Sequence, residues 1–250
     1  MSPTPEHTPS GIAPTLPSQP SDDGLAVDLV DWFVGHARDL PWRRLPLGSP
    51  RDPYRVLVSE LMLQQTQVLR VVERFIAFIA RFPTVEALAG ADEREVLSLW
   101  AGLGYYRRAR LLLEAARVVV DRFGGRFPED VDGLASLPGV GRYTAGAIAS
   151  LAFGESVAAV DANVARVVLR LEGEQLAVAD ASARSLTWDR AQQLVDVAAQ
   201  LKIKPALLNE ALIELGAVVC RKPGPRCAEC PIAAHCKARA QGTQESIPLA

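Results

Sequence analysis

From Leu25 onward, apolar positions recur at helical spacing. Leu25, Leu29, Trp32, Phe33 and His36 fall on one helix face, and strand-like alternation is scarce along the whole chain. The pattern predicts a predominantly α protein. Helix starts are marked by Asp52 followed by Pro53 at the first helical position, and by Asp161 ahead of a run rich in Val and Leu. Predicted stops are Gly102-Leu103-Gly104, Gly124-Gly125 and Gly216, and no internal repeat separates them. Ahead of these elements, residues 1–24 carry six prolines among Ser, Thr and Gly, with too little apolar content to order a backbone. They are read as a disordered tail.

At 250 residues and 49% hydrophobic content the chain can bury a substantial core. No apolar run approaches the roughly 18 residues of a membrane span, and the N-terminus shows neither the basic nor the apolar region of a secretory signal, so a cytoplasmic protein with no membrane partner is expected. A net charge of -2 gives no overall basic bias, so any DNA contact must rest on local patches. The cations are uneven: Lys202, Lys204, Lys222 and Lys237 are the only lysines. Cys220, Cys227, Cys230 and Cys236 are the only cysteines, and their C-x6-C-x2-C-x5-C spacing offers four soft ligands for an iron-sulfur cluster or, less well, for structural zinc. Between the first two lie Arg221, Lys222 and Arg226, read either as a cationic knob for a DNA backbone or as an ordinary solvated charge run.

Three further features carry candidate chemistry. Leu137-Pro138-Gly139-Val140-Gly141-Arg142-Tyr143 joins two helical stretches through a turn with two glycines. It is either a helix-hairpin-helix that seats a phosphate on backbone N–H groups or a plain glycine turn. Glu60 lies in Tyr54 to Thr66, a helix apolar on most sides, where burial would raise a carboxyl pKa toward that of a proton donor; a rim glutamate paired with arginine is the alternative. Asp161 precedes the helix 162–171 as an N-cap, and capping bonds would hold it ionised and able to stabilise a developing positive charge. The two carboxylates are thus expected to have pKa values pushed apart.

These residues resemble the helix-hairpin-helix DNA glycosylases that carry an iron-sulfur cluster, and among them the A/G-specific adenine DNA glycosylase (MutY) family. The resemblance rests on Leu40-Pro41-Trp42-Arg43, Asp52-Pro53-Tyr54, Ser59 to Gln67, Trp100 to Tyr106, the hairpin 137–146, Val160 to Arg166 and the cysteine spacing, in the family's order over about residues 25 to 240. It implies an all-α, two-lobed fold. Residues 25–50 would form an N-terminal helix joining the cluster lobe, 51–155 a six-helix barrel, 156–240 the iron-sulfur lobe and 241–250 a tail. It further implies a [4Fe-4S] cofactor on the four cysteines, and a monomer acting on double-stranded DNA with adenine mispaired with guanine or 8-oxoguanine, nucleoid-associated if bacterial.

By resemblance the general acid falls on Glu60, the cation-stabilising carboxylate on Asp161, and an orienting role on Asn163. DNA contacts fall on Arg43, Leu63, Gln64, Gln65, Thr66, Tyr105, the hairpin residues Pro138, Gly139, Val140 and Gly141, and Arg221, Lys222 and Arg226. Where bifunctional relatives hold a lysine nucleophile this chain has Tyr143, and no lysine precedes Lys202, so a monofunctional hydrolysis with little strand cleavage is expected. Thymine release from G·T mispairs is the first alternative, and a non-catalytic DNA-binding or redox-sensing iron-sulfur protein the second. The chain departs from the family at Ala162, where glycine is usual and a methyl group would strain any backbone that needs positive φ. Only fourteen residues follow Cys236, so the C-terminal domain that recognises 8-oxoguanine is expected to be absent.

Overall fold

The computed structural model describes residues 21–43 and 46–249, so the predicted tail lies outside the described residues up to position 20. Its last four positions do not: Ser21 caps α1 (Asp22–His36), accepting from the Gly24 N–H, and ordered helix starts earlier than the predicted residue 25. Every regular element that follows is helical. Among the described residues the only β-type pairing is an isolated bridge between Ala177 and Leu249, and no helix is long and apolar enough to cross a membrane.

The first hydrophobic core draws on α2 (Pro53–Leu63), α3 (Val68–Arg81), α4 (Val85–Ala89), α5 (Glu93–Leu99), α6 (Arg107–Phe123), α7 (Val131–Ala135) and α8 (Arg142–Ile148). Local chemistry sets their ends. The Asp52 carboxylate accepts from the Tyr54 and Arg55 N–H groups with Pro53 at the helix start, as the sequence predicts. Gly124 ends α6 with φ of +61°, a left-handed residue that suits glycine. Centrally, Phe78, Phe82 and Trp100 meet edge to face around Leu57, Leu61 and Met62 of α2.

A second core is built from α1 together with α9 (Ala162–Glu172), α10 (Ala181–Gln200) and α11 (Pro205–Val218). The chain crosses between the cores at residues 156–159. There the Ala158 N–H donates to Gln192 and the Ala159 N–H to Asn209, so the crossover backbone is tied to α10 and α11 on both sides. Gly216 is not a helix stop, because α11 runs through it to Val218. Its role is close approach: a side chain at 216 would put a Cβ 2.7 Å from the Cβ of Asn163 at the start of α9.

The C-terminal residues also depart from the expected tail. After α12 (Lys237–Gln241), Ile247 is fully buried, the Leu249 N–H donates to the Leu176 carbonyl at 3.0 Å, and the Ile247 carbonyl accepts from Arg170. The apolar Ile247 fills a pocket beside Leu169 and Ala238, which orders a segment whose polar flanks hide that anchor.

Candidate active site

Between the two cores lies a cleft of about 580 Å³ lined from both sides. Helix α2 supplies Glu60 and α8 supplies Tyr143. Asp161, Ala162 and Asn163 come from the start of α9, Glu210 from α11, Leu63 from the last position of α2, and Gln64, Gln65 and Thr66 from the turn that follows it. All four residues expected to carry chemistry therefore meet in one place, although 101 positions separate Glu60 from Asp161.

Glu60 is 8% exposed, on a helix end whose neighbours Val58, Leu61 and Met62 are buried. Burial pushes its pKa up to about 7; the Tyr143 hydroxyl facing it opposes that shift, and the nearby Asp161 charge reinforces it. At neutral pH a large fraction of Glu60 is protonated. Asp161 is shifted in the same direction as Glu60 and not in the opposite one. Burial raises it as well, against bonds that favour its charged form: its Oδ1 accepts from the Val164 N–H and its Oδ2 from Asn163 Nδ2, each at 2.8 Å. The cap forms as predicted, but desolvation outweighs it. Asn163 is itself oriented by Arg166, which donates to the Asn163 side chain at 2.8 Å and to the Cys220 and Gly216 carbonyls. Burial and the Glu60 charge lift the Tyr143 hydroxyl well above its ordinary pKa, so it stays a neutral donor. Ala162 is helical and not in the left-handed region, so its methyl group lines the cleft without backbone strain.

Arg43, expected to contact DNA, lines the cleft with its guanidinium turned to α11. Its guanidinium is buried and engaged by Glu210 and Glu214, each at 2.7 Å. Glu214 also takes both prongs of Arg38, and Glu210 takes Arg51 at 2.6 Å. Arg43 thus belongs to a buried ion network that joins the α11 wall to the segments on either side of it. The sequence reading missed Arg38, Arg51, Glu210 and Glu214. One signal was available: Glu210 and Glu214 sit one helical turn apart in a helix as apolar as the one around Glu60.

The hairpin forms between α7 and α8, with Gly139 at φ of +76°, where a Cβ would lie 2.8 Å from the Leu111 Cβ. Gly141 is exposed and Pro138 half-buried, while Val140 is buried and offers only its backbone. Tyr105 is 63% exposed on a separate loop outside the cleft lining, and Gln65 is exposed at the cleft edge. The Thr66 hydroxyl turns inward, hydrogen bonding with the Leu103 carbonyl and Arg108, so it braces a loop. Of the cationic knob, Arg221 is exposed, Lys222 holds the Pro248 carbonyl, and Arg226 is bound to Glu229 and the Val218 carbonyl. Two of the three cations are thus partly committed to the protein.

Cys220, Cys227, Cys230 and Cys236 line a single small cavity with Arg170. Among the described residues no three His, Cys, Asp or Glu side chains converge as ligands of one metal ion. Arg170, 1% exposed, donates through Nη1 to the Cys220 sulfur at 3.2 Å, while its Nη2 is buried without a partner. A buried cationic donor left over beside four thiols fits an anionic sulfur-rich group in that cavity.

The sequence profile of the HhH-GPD superfamily of base excision DNA repair proteins matches residues 58–193. The human adenine DNA glycosylase is 45% identical over 88% of this chain, and that of Mycolicibacterium smegmatis 44% identical over 86% of it and 70% of its own length. The chain spans 40%, 43% and 41% of the human, rat and mouse relatives. Among solved structures, a thermostable thymine-DNA glycosylase superposes with a TM-score of 0.74 at 28% identity, covering 88% of this chain and 97% of the other. An endonuclease III in a DNA complex shares the fold, with a TM-score of 0.67 at 23% identity over 88% and 95% of the two chains. By fold, matched span and sequence together, this chain belongs to the HhH-GPD superfamily of base excision DNA repair proteins and, within it, to the adenine DNA glycosylase (MutY) family.

Proposed function

We propose that the chain is a monofunctional glycosylase that excises adenine mispaired with guanine or 8-oxoguanine from double-stranded DNA. One observation carries the reading: a carboxyl with a pKa of about 7 shares a cleft with a capped aspartate, and no lysine lines that cleft. Glu60 protonates a ring nitrogen of the extruded adenine, so the base leaves as a neutral species when the glycosidic bond breaks. Asp161, held by Val164 and Asn163, faces the sugar and stabilises its oxocarbenium-like charge until water adds. With Tyr143 in the lysine's place no Schiff base forms, and the product is an intact strand bearing an abasic site.

DNA is held on the hairpin 138–141, on the loops bearing Leu63 to Gln65 and Tyr105, and on Arg221 of the cationic knob. Residues 51–155 act as the barrel lobe, and α1 with residues 156–249 as the cluster lobe. Cys220, Cys227, Cys230 and Cys236 would hold a [4Fe-4S] group, which cross-links the cluster lobe when bound. Iron analysis and a visible absorption band test that assignment.

The function is tested by incubating the protein with duplexes containing A·8-oxoguanine, A·G or T·G, then comparing strand breaks with and without hot alkali. Adenine release with alkali-dependent breaks is expected. Breaks without alkali overturn the monofunctional mechanism, release of thymine alone favours the G·T reading, and DNA binding with no base release favours a non-catalytic role.

A further inference from the structure

The two loops that carry Gln65 and Tyr105 share one buried cation, Arg108, at the second position of α6 and 8% exposed. Its Nη1 donates to the carbonyls of Leu61, Met62 and Gln64, and its Nη2 to the Thr66 hydroxyl and the carbonyls of Leu103 and Gly104. The first three are carbonyls at the C-terminal end of α2, which the helix itself leaves without donors. The last two belong to the Tyr105 loop. The guanidinium also lies 5.6 Å from the Trp100 ring centre and 5.4 Å from that of Tyr105. No carboxylate among the described residues pairs with it, and burial lowers its pKa. A buried cation held by carbonyls, one hydroxyl and two aromatic rings with no carboxylate partner, and with its Nε unpartnered, is costly unless the geometry it enforces is needed.

That geometry is unusual at both loop tips. Gln65 has φ of +54° and Tyr105 has φ of +46°, left-handed conformations that residues other than glycine hold only when their surroundings enforce them. Each tip is exposed, and each loop reaches back to the same guanidinium.

We propose, building on the glycosylase reading, that Arg108 is a positioning residue: it presets the Gln65 and Tyr105 loops in the shape that enters the DNA stack, and through the Leu61 carbonyl ties that shape to Glu60. Base extrusion and placement of the acid then depend on one fork of hydrogen bonds. Lysine would keep the charge but lose the planar fork that reaches both loops.

The test uses the full chain as wild type, Arg108→Met and Arg108→Lys. It reads the fluorescence of 2-aminopurine beside the target adenine, which reports unstacking without bond cleavage, and single-turnover release from two duplexes. In one the adenine is opposite guanine; in the other it faces an abasic site and is already unpaired. Arg108→Met is expected to lose the fluorescence gain and to slow release from A·G on the order of a hundredfold, while the unpaired adenine loses less than about tenfold because no pairing remains to be broken and extrusion costs less. Arg108→Lys should fall between. Equal losses on both duplexes, or a full fluorescence gain in Arg108→Met, overturn the proposal. If Arg108→Met shows no cooperative melting, the ratio between the duplexes in Arg108→Lys decides the matter. Wild type that unstacks DNA but frees no adenine would sink the glycosylase reading and leave Arg108 judged by fluorescence alone, whereas wild type with no fluorescence gain overturns the loop proposal itself.

Discussion

Glu60 on the α2 wall of the cleft and Glu214 on the α11 wall are both buried carboxyls, yet their surroundings act in opposite directions. Around Glu60 the neighbours are apolar side chains, a phenol and another carboxylate, no arginine hydrogen bonds to it, and burial lifts its pKa to about 7 against the more distant charge of Arg43. Burial would lift Glu214 too, but hydrogen bonds from Arg38 and the charge and bonds of Arg43 outweigh it and hold the carboxyl below its ordinary range. Whether a buried carboxylate becomes an acid or a strut is decided by whether an arginine fork reaches it. The α11 wall fixes the cleft's shape, and the α2 wall holds the proton.

The sharpest way to separate the walls is one isosteric change on each. Glu60→Gln removes the proton donor and is expected to slow single-turnover base release by about 10²–10⁴-fold, with DNA binding retained. Glu214→Gln takes the carboxylate from a partly exposed Arg38 and leaves Arg43 with Glu210 as its one partner, so the loss is expected to stay below the about 3–5 kcal/mol of stranding a fully buried charge, read as a fall in denaturation midpoint.

Glu60→Gln should do the reverse to stability at alkaline pH. A carboxyl raised from 4.5 to about 7 binds more protons folded than unfolded in that window, so its contribution is fully present below pH 4.5 and lost as pH rises through 7. Above pH 7 the buried charge costs up to about 3 kcal/mol, and Glu60→Gln is expected to melt higher than wild type at pH 8 and no higher at pH 4.5. Glu214 has the opposite dependence: its depressed pKa gives stability above the unfolded value that is lost as pH falls through the folded one. The smallest effect belongs to Gly216→Ala. The new Cβ 2.7 Å from Asn163 should cost about 1–3 kcal/mol and move Asn163 off Asp161, lowering the release rate with little change in DNA affinity.

The sequence made the acid wall legible because its signals are local. Asp52-Pro53 starts α2, Asp161 caps α9, the glycine turn forms the hairpin, and Tyr143 follows that turn into the cleft. The strut wall was hidden because its partners are distant in the chain: Arg38 and Glu214 are 176 positions apart, and Arg51 and Glu210 are 159 apart. Nothing near Arg43 in the chain signals its ion pairs to α11. Gly216 read as a helix stop for a related reason, since the need for a glycine comes from Asn163 across a helix contact and not from a turn. Asp161 shows the same limit in electrostatics: its cap was visible locally, but the desolvation that outweighs it arises from the assembled cleft.

If Glu60 is the acid, it is so because its wall keeps it protonated near neutrality. The direct measurement is the pH dependence of the single-turnover rate of adenine release from an A·G duplex, in wild type and in Glu60→Gln. In wild type the rate should fall about tenfold per pH unit above an apparent pKa near 7, and Glu60→Gln should lack that limb. A wild-type rate that stays level or rises through pH 8, or a Glu60→Gln enzyme that keeps the same alkaline limb, would contradict it.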